Sequence, residues 1–238
     1  MKRGLVIGKF YPPHQGHQFL IESALSYVDE LTIIVTGKHG QKIGAGLRGR
    51  WLSEMYTNAK VKVVFHNLAD DDDEGWAKNT IKWLGFKPDI VFTSEDYGDN
   101  YSKLMGAKHV SVDKKRKAFP ISGTVIRERP HYYLNHLDPI VRGYFVRRVC
   151  LLGAESTGTT THAKTLAEKF KTSWVPEFGR FYTLGKKASK ASKWHNSEFE
   201  YIAQVQNSFE DELAKHSNKV LFCDTNSLVT HGWEEFFM

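Results

Sequence analysis

The chain has 238 residues, 41% hydrophobic and 25% charged, enough to bury one good core and a second, smaller one. Its 33 Lys and Arg against 27 Asp and Glu leave a net charge of +6 and a pI near 9.1, a balance that suits anionic substrates. Nucleic-acid motifs, a secretory signal and an apolar run of roughly 18 residues are all missing, so neither nucleic acid nor a membrane is an expected partner.

Residues 4–7 read as a short buried strand, and Gln18 to Leu25 carries apolar residues at helical spacing. The loop between them, Gly8-Lys9-Phe10-Tyr11-Pro12-Pro13-His14-Gln15-Gly16-His17, therefore ends on a helix N-terminus. Unpaired N–H groups and the helix dipole favour negative charge there, and Gly8 lets the backbone pass close to a phosphate. His14 and His17, three residues apart, can face one anion and stabilise charge that builds on it. A Pro-Pro turn with solvated histidines is the plainer alternative. Zinc finds no further ligand at suitable spacing.

Further strands are expected at about 30–36, 61–66, 89–93 and 108–112, separated by helices near 17–28, 47–58, 76–85 and 100–105. This alternation predicts an α/β fold with a parallel sheet covered on both faces. Thr93 and Ser94 fall at the C-terminal end of the fourth strand, where open parallel sheets hold ligands. The acidic run Asp70 to Glu74 reads as a solvated loop outside the site, and Lys114 to Lys117 as a basic loop near it. Trp76 is either a core residue or a platform for an aromatic ring. At 121–127, Ser122 is a natural helix cap and Arg127, just over a turn further on, can make forked bonds to phosphate.

A boundary is expected near 146, giving domains 1–146 and 147–238. The second opens with a buried strand at 148–152, followed by Gly153-Ala154-Glu155-Ser156-Thr157-Gly158-Thr159-Thr160-Thr161 and a helix. This is a phosphate loop with Thr159 where the motif places Lys; Thr160 can still offer a hydroxyl to Mg2+. Lys164 lies more than a turn along the helix. Residues 220–226 read as a strand ending in Asp224, an acid suited to metal-bound water or a ribose. Cys150 and Cys223 lie in apolar runs without zinc spacing and are too few for a disulfide framework, which predicts a reducing, cytoplasmic setting.

The first loop resembles the signature of the nucleotidylyltransferase superfamily, and Ile121-Ser122-Gly123-Thr124-Val125-Ile126-Arg127 matches its Ile-Ser-x-x-x-x-Arg element, in which Ser and Arg meet the β- and γ-phosphates. Arg48 to Leu52, Gly75-Trp76, Pro88 to Glu95 and Val112 to Arg116 are similar to the bifunctional nicotinamide-mononucleotide adenylyltransferase/ribosylnicotinamide kinase branch, from residue 3 to the last residue. Glu177 and Arg180 resemble that family's Glu-x-x-Arg element. The resemblance implies a Rossmann-like nucleotidylyltransferase sheet followed by a partial P-loop kinase-like domain. It also implies NAD synthesis from ATP and nicotinamide mononucleotide (NMN), with Mg2+ accompanying ATP. His14, His17 and Arg127 are then the catalytic candidates; Gly8, Lys9, Phe10, Thr93, Ser94, Ser122 and Trp76 are candidates for binding ATP and NMN. Gly153, Gly158, Thr159 and Thr160 form the kinase loop.

Relatives carry more sequence beyond position 238, which predicts a truncated kinase half or one completed by homo-oligomerisation. Some carry an N-terminal DNA-binding domain, expected to be missing here because the first strand begins near residue 4. Three readings follow: an adenylyltransferase with a disabled kinase, a fully bifunctional enzyme that also phosphorylates nicotinamide riboside, and a non-catalytic sensor of NAD or ATP. Intact His14, His17, Ser122 and Arg127 favour the first two, and the missing loop lysine favours the first.

Overall fold

The computed structural model describes residues 1–154, 156–189 and 193–238, so Glu155 of the phosphate loop lies outside the described residues. The chain divides into two units, Met1–Asp138 and Pro139–Met238.

The first unit is built on five parallel strands, β1 (Arg3–Gly8), β2 (Glu30–Gly37), β3 (Lys60–Phe65), β4 (Ile90–Thr93) and β5 (Lys108–Ser111), in the order β3-β2-β1-β4-β5. Central β1 pairs with β2 through Val6↔Ile33 and with β4 through Val6↔Phe92. Successive side chains of a strand point to opposite faces. Val6, Ile33, Val35 and Phe92 therefore pack on one side with Leu20, Ile21 and Ala24 of α1 (Gln15–Leu25) and Leu52 of α2 (Ala45–Met55). Leu5, Ile7, Ile34 and Val91 pack on the other with Ala77 and Leu84 of α3 (Asp73–Leu84) and Tyr101 and Met105 of α4 (Gly98–Met105). Burial on both faces explains why the inner strands are predominantly apolar, whereas edge strand β3 is largely exposed. The connections leave in opposite directions from β1 and β4, and a crevice opens between their C-terminal ends.

The expected strands are all present. Helices α1 and α3 begin earlier than periodicity alone suggested, because caps lie upstream of the apolar pattern. His14 caps α1, accepting from the Gly16 N–H at 3.2 Å, and Asp72 caps α3, accepting from the Gly75 N–H at 2.8 Å. Asp73 and Glu74 then sit in the first turn of α3, where the dipole favours them. A short helix α5 (Gly123–Glu128) follows β5.

The second unit starts with α6 (Pro139–Phe145), which packs on α9 (Asn196–His216). The division thus falls at Pro139 and not near 146: Gly143 lies flat against the Lys215 backbone and takes α6 with it. Three parallel strands, β6 (Arg147–Leu151), β7 (Trp174–Val175) and β8 (Val220–Asp224), follow the order β6-β8-β7, with Cys150 opposite Cys223. Helices α7 (Thr159–Phe170), α8 (Phe178–Ala188) and α10 (Ser227–Phe237) complete it. No helix among the described residues is long and apolar enough to cross a membrane.

Candidate active site

A cavity of about 740 Å³ fills the crevice, lined from the first loop by Gly8, Lys9, Phe10, His14 and His17, from β4 by Thr93 and Ser94, and from the α5 segment by Ser122 and Arg127. Trp76 stands in its wall. Among the described residues, every expected site residue of the first unit therefore borders one space.

His14 and His17 occupy the N-cap and first turn of α1, their rings stacked at 3.8 Å. His14 is buried and His17 half-buried; desolvation, helped at His14 by the charge of Arg116 and at His17 by His14 and Arg116, pulls the His14 pKa down to about 4 and that of His17 well below its usual value. Both are neutral at pH 7. Because His14 Nδ1 accepts the Gly16 N–H, its proton is on Nε2, a donor available to an anion. His17 Nδ1 is buried with no hydrogen-bond partner among the described residues, and the ring meets Phe10 edge-on at 5.0 Å.

These histidines give acid stability a definite sign. A group whose pKa is depressed on folding contributes fully above its unfolded pKa near 6.5 and loses that contribution as pH falls toward its folded value. For His14 the loss amounts to about 3 kcal/mol between pH 6.5 and 4. Urea unfolding at pH 7 and pH 4.5 is therefore expected to show a smaller drop for His14→Asn, which keeps a capping acceptor, than for wild type.

Arg127 is held rigidly: its guanidinium lies 4.3 Å over the Tyr11 ring and donates to the Tyr11 carbonyl at 2.5 Å and to Thr124 Oγ1 at 3.1 Å. Ser122 caps α5, accepting from the Val125 N–H at 3.4 Å. A Cβ on Gly123 would come within 2.4 Å of the Tyr11 carbonyl oxygen, so glycine there allows α5 to close on the first loop. Phe10, one of the ligand-binding candidates, is almost wholly buried and joins the core as well as the cavity wall. Thr93 hydrogen-bonds His109 at 2.9 Å, and His109 in turn meets Asp99 at 2.6 Å. Trp76 donates its indole N–H to the Ala69 carbonyl at 2.9 Å and packs edge-on to His66 and Trp83, so it is at once core and cavity wall.

Two features escaped sequence reasoning, and a third, Arg116, was read only as part of a basic loop near the site. Arg48, fully buried on α2, fans its donors onto the carbonyls of Lys9, Thr36 and Ile43 and onto the Gln41 side chain, which ties the first loop to β2. Its spacing within an amphipathic helix carries no sign of this. Asp70, from the acidic run read as solvated, pairs with Lys9 at 3.2 Å and Lys38 at 3.5 Å and lines the cavity; the Lys9 ammonium lowers its pKa. Arg116 also lines the cavity, paired with Glu95 at 3.1 Å.

In the second unit, Gly158 takes a left-handed conformation (φ 86°) as N-cap of α7, with Thr159 opening the helix. Thr160 donates to the nearly buried carboxylate of Asp224 at 2.5 Å. A hydroxyl and an acid so placed fit the donor set of a Mg2+ that accompanies a nucleotide. Lys164 does not replace the loop lysine: its ammonium lies 5.0 Å over the Trp174 ring. Glu177 and Arg180 form an ion pair at 3.2 Å. No cluster of three or more His, Cys, Asp or Glu suited to a metal occurs among the described residues.

This is the architecture of a doubly wound parallel α/β sheet followed by a second, smaller parallel α/β unit, and residues 148–238 match the AAA domain family. The chain is 32% identical to the trifunctional NAD biosynthesis/regulator protein NadR of Escherichia coli and 34% identical to that of Salmonella typhimurium, each over 97% of this chain. The crystal structure of a NadR protein in complex with NAD and AMP-PNP superposes with a TM-score of 0.77 at 21% identity, covering 99% of this chain and 72% of that one. The chain is thus similar to the NadR proteins over nearly its whole length, and it spans 62% of the length of the two curated relatives.

Proposed function

We propose that this protein makes NAD by adenylyl transfer. A phosphate oxygen of NMN attacks the α-phosphorus of ATP; the bond from that phosphorus to the bridging oxygen breaks, and its electron pair leaves with pyrophosphate. The observation that carries this reading is the convergence of His14 and His17, on the first turn of α1, with Ser122 and Arg127, more than a hundred residues later, on one cavity.

The nucleophile is already an anion, so the protein must align it and stabilise the departing charge. Gly8 and the α1 N-terminus admit the phosphates, Lys9 and Arg127 supply positive charge, and the two imidazoles donate protons in hydrogen bonds that strengthen as charge develops. Arg127, Ser122 and the histidines face the β- and γ-phosphates, Thr93 and Ser94 line the nucleotide, and Trp76 stands against the pyridine ring. Mg2+ arriving with ATP neutralises phosphate charge. The NAD and AMP-PNP held by the NadR crystal structure support a molecule that meets both ligands.

We read the second unit as a nucleotide-binding module whose kinase activity is disabled: Thr159 brings no charge to the terminal phosphates, and Lys164 is engaged elsewhere. The Thr160–Asp224 pair, which fits Mg2+, favours the bifunctional alternative, with nicotinamide riboside as second substrate. One reaction mixture decides between them: protein, MgATP, unlabelled NMN and isotope-labelled nicotinamide riboside, with products resolved by mass. Unlabelled NAD alone is the expected result. Labelled NMN or labelled NAD would establish a working kinase, and no NAD of either mass would overturn adenylyl transfer and promote the sensor reading.

A further inference from the structure

Resting on the adenylyl-transfer reading, we propose that Arg116 is a further catalytic cation, parked on Glu95 in the free protein, and that it leaves Glu95 to grip the polyphosphate of the bound nucleotide. Four observations lead there. Arg116 and Glu95 both line the cavity, and their ion pair at 3.1 Å has each side chain about half exposed, a kind of pair that is weak and easily exchanged.

The loop that carries Arg116 is built with care. Asp113 and Arg116 both adopt positive φ (47° and 48°), and the Asp113 carboxylate accepts the backbone N–H groups of Lys117 at 2.8 Å, Ala118 at 3.1 Å and Phe119 at 3.4 Å. Phe119 then packs on Phe19 of α1 at 5.6 Å, which fixes the loop beside the helix that carries the histidines. The Arg116 charge is felt at both imidazoles, lowering both pKa values.

Arg127 is the contrasting case. Two of its donors are held by Tyr11 and Thr124 and its face lies on the Tyr11 ring, so it is fixed in place. Arg116 meets a carboxylate, the group that phosphate oxygens most resemble as acceptors, and its planar fork can take two of them at once. Glu95 thus stands in for phosphate. It keeps the cation in the cavity wall and makes a polyanion compete for it.

The test combines binding with rate. Pyrophosphate affinity by calorimetry is expected to fall roughly 10- to 30-fold in Arg116→Ala, with partial recovery in Arg116→Lys, while kcat for NAD formation falls about 10²-fold. Glu95→Gln, which frees the guanidinium, is expected to tighten pyrophosphate binding about two- to fivefold. Unchanged pyrophosphate affinity in Arg116→Ala, or weaker binding in Glu95→Gln, overturns the proposal. Arg116-dependent pyrophosphate binding in a protein that forms no NAD supports the grip and overturns only the adenylyl-transfer reading.

Discussion

Replacing His17 by Ala is expected to lower kcat for NAD formation by about 10²–10³-fold while KM for ATP changes little. The loss of one donor aimed at developing charge typically has this size, and a group whose bond strengthens only in the transition state shows itself in kcat rather than in KM. His17 is half-buried and neutral, stacked on His14 at 3.8 Å with Phe10 edge-on to it at 5.0 Å, so its ring is held in one orientation. A positioned polyanion should raise both imidazole pKa values, because opposite charge favours the protonated form. Pyrophosphate binding near pH 5 is therefore expected to take up protons, measurable as a dependence of calorimetric heat on buffer, and His14→Asn should reduce the uptake. A His17→Ala enzyme with wild-type kcat would falsify the role given to the pair.

Arg48→Met is expected to destabilise the first unit by about 3 kcal/mol, roughly 10 °C in Tm, and to raise KM for both substrates. The methionine fills much of the volume but leaves the carbonyls of Lys9, Thr36 and Ile43 without their donor, at about 1–3 kcal/mol each. Relief of the buried cation's own desolvation offsets part of that loss. Because one of those carbonyls belongs to Lys9, the loop proposed to bind phosphate should slacken with the fold. Arg48→Lys restores charge without the five-donor fork, so it should recover only part of either property. Thermal unfolding and steady-state kinetics on the three proteins check this; equal melting of Arg48→Met and wild type would mean that the fan of hydrogen bonds holds nothing.

The sequence by itself determined the alternating architecture and the heart of the site. A parallel strand buried on both faces is a nearly continuous apolar run, so residues 4–7, 31–35 and 90–92 could be recognised one by one. The histidine loop and the Ser122–Arg127 element were legible because each packs its chemistry into one contiguous stretch. Only the tertiary structure decided which distant residues meet. A charged residue in a helical pattern is normally solvated, and nothing local distinguishes Arg48 from Arg50 until the ends of β1 and β2 bring carbonyls to the former. The acidic run could not be divided by inspection into a cap, Asp72, and a cavity partner, Asp70, since that depends on where Lys9 and Lys38 arrive. In the same way the weak, exchangeable pair of Arg116 with Glu95, the contact of Thr160 with Asp224 and the capture of α6 by α9 join segments far apart in the chain. Local propensity and periodicity act over a few residues, whereas side-chain pairing across a sheet and its loops is set by the packing of the whole unit.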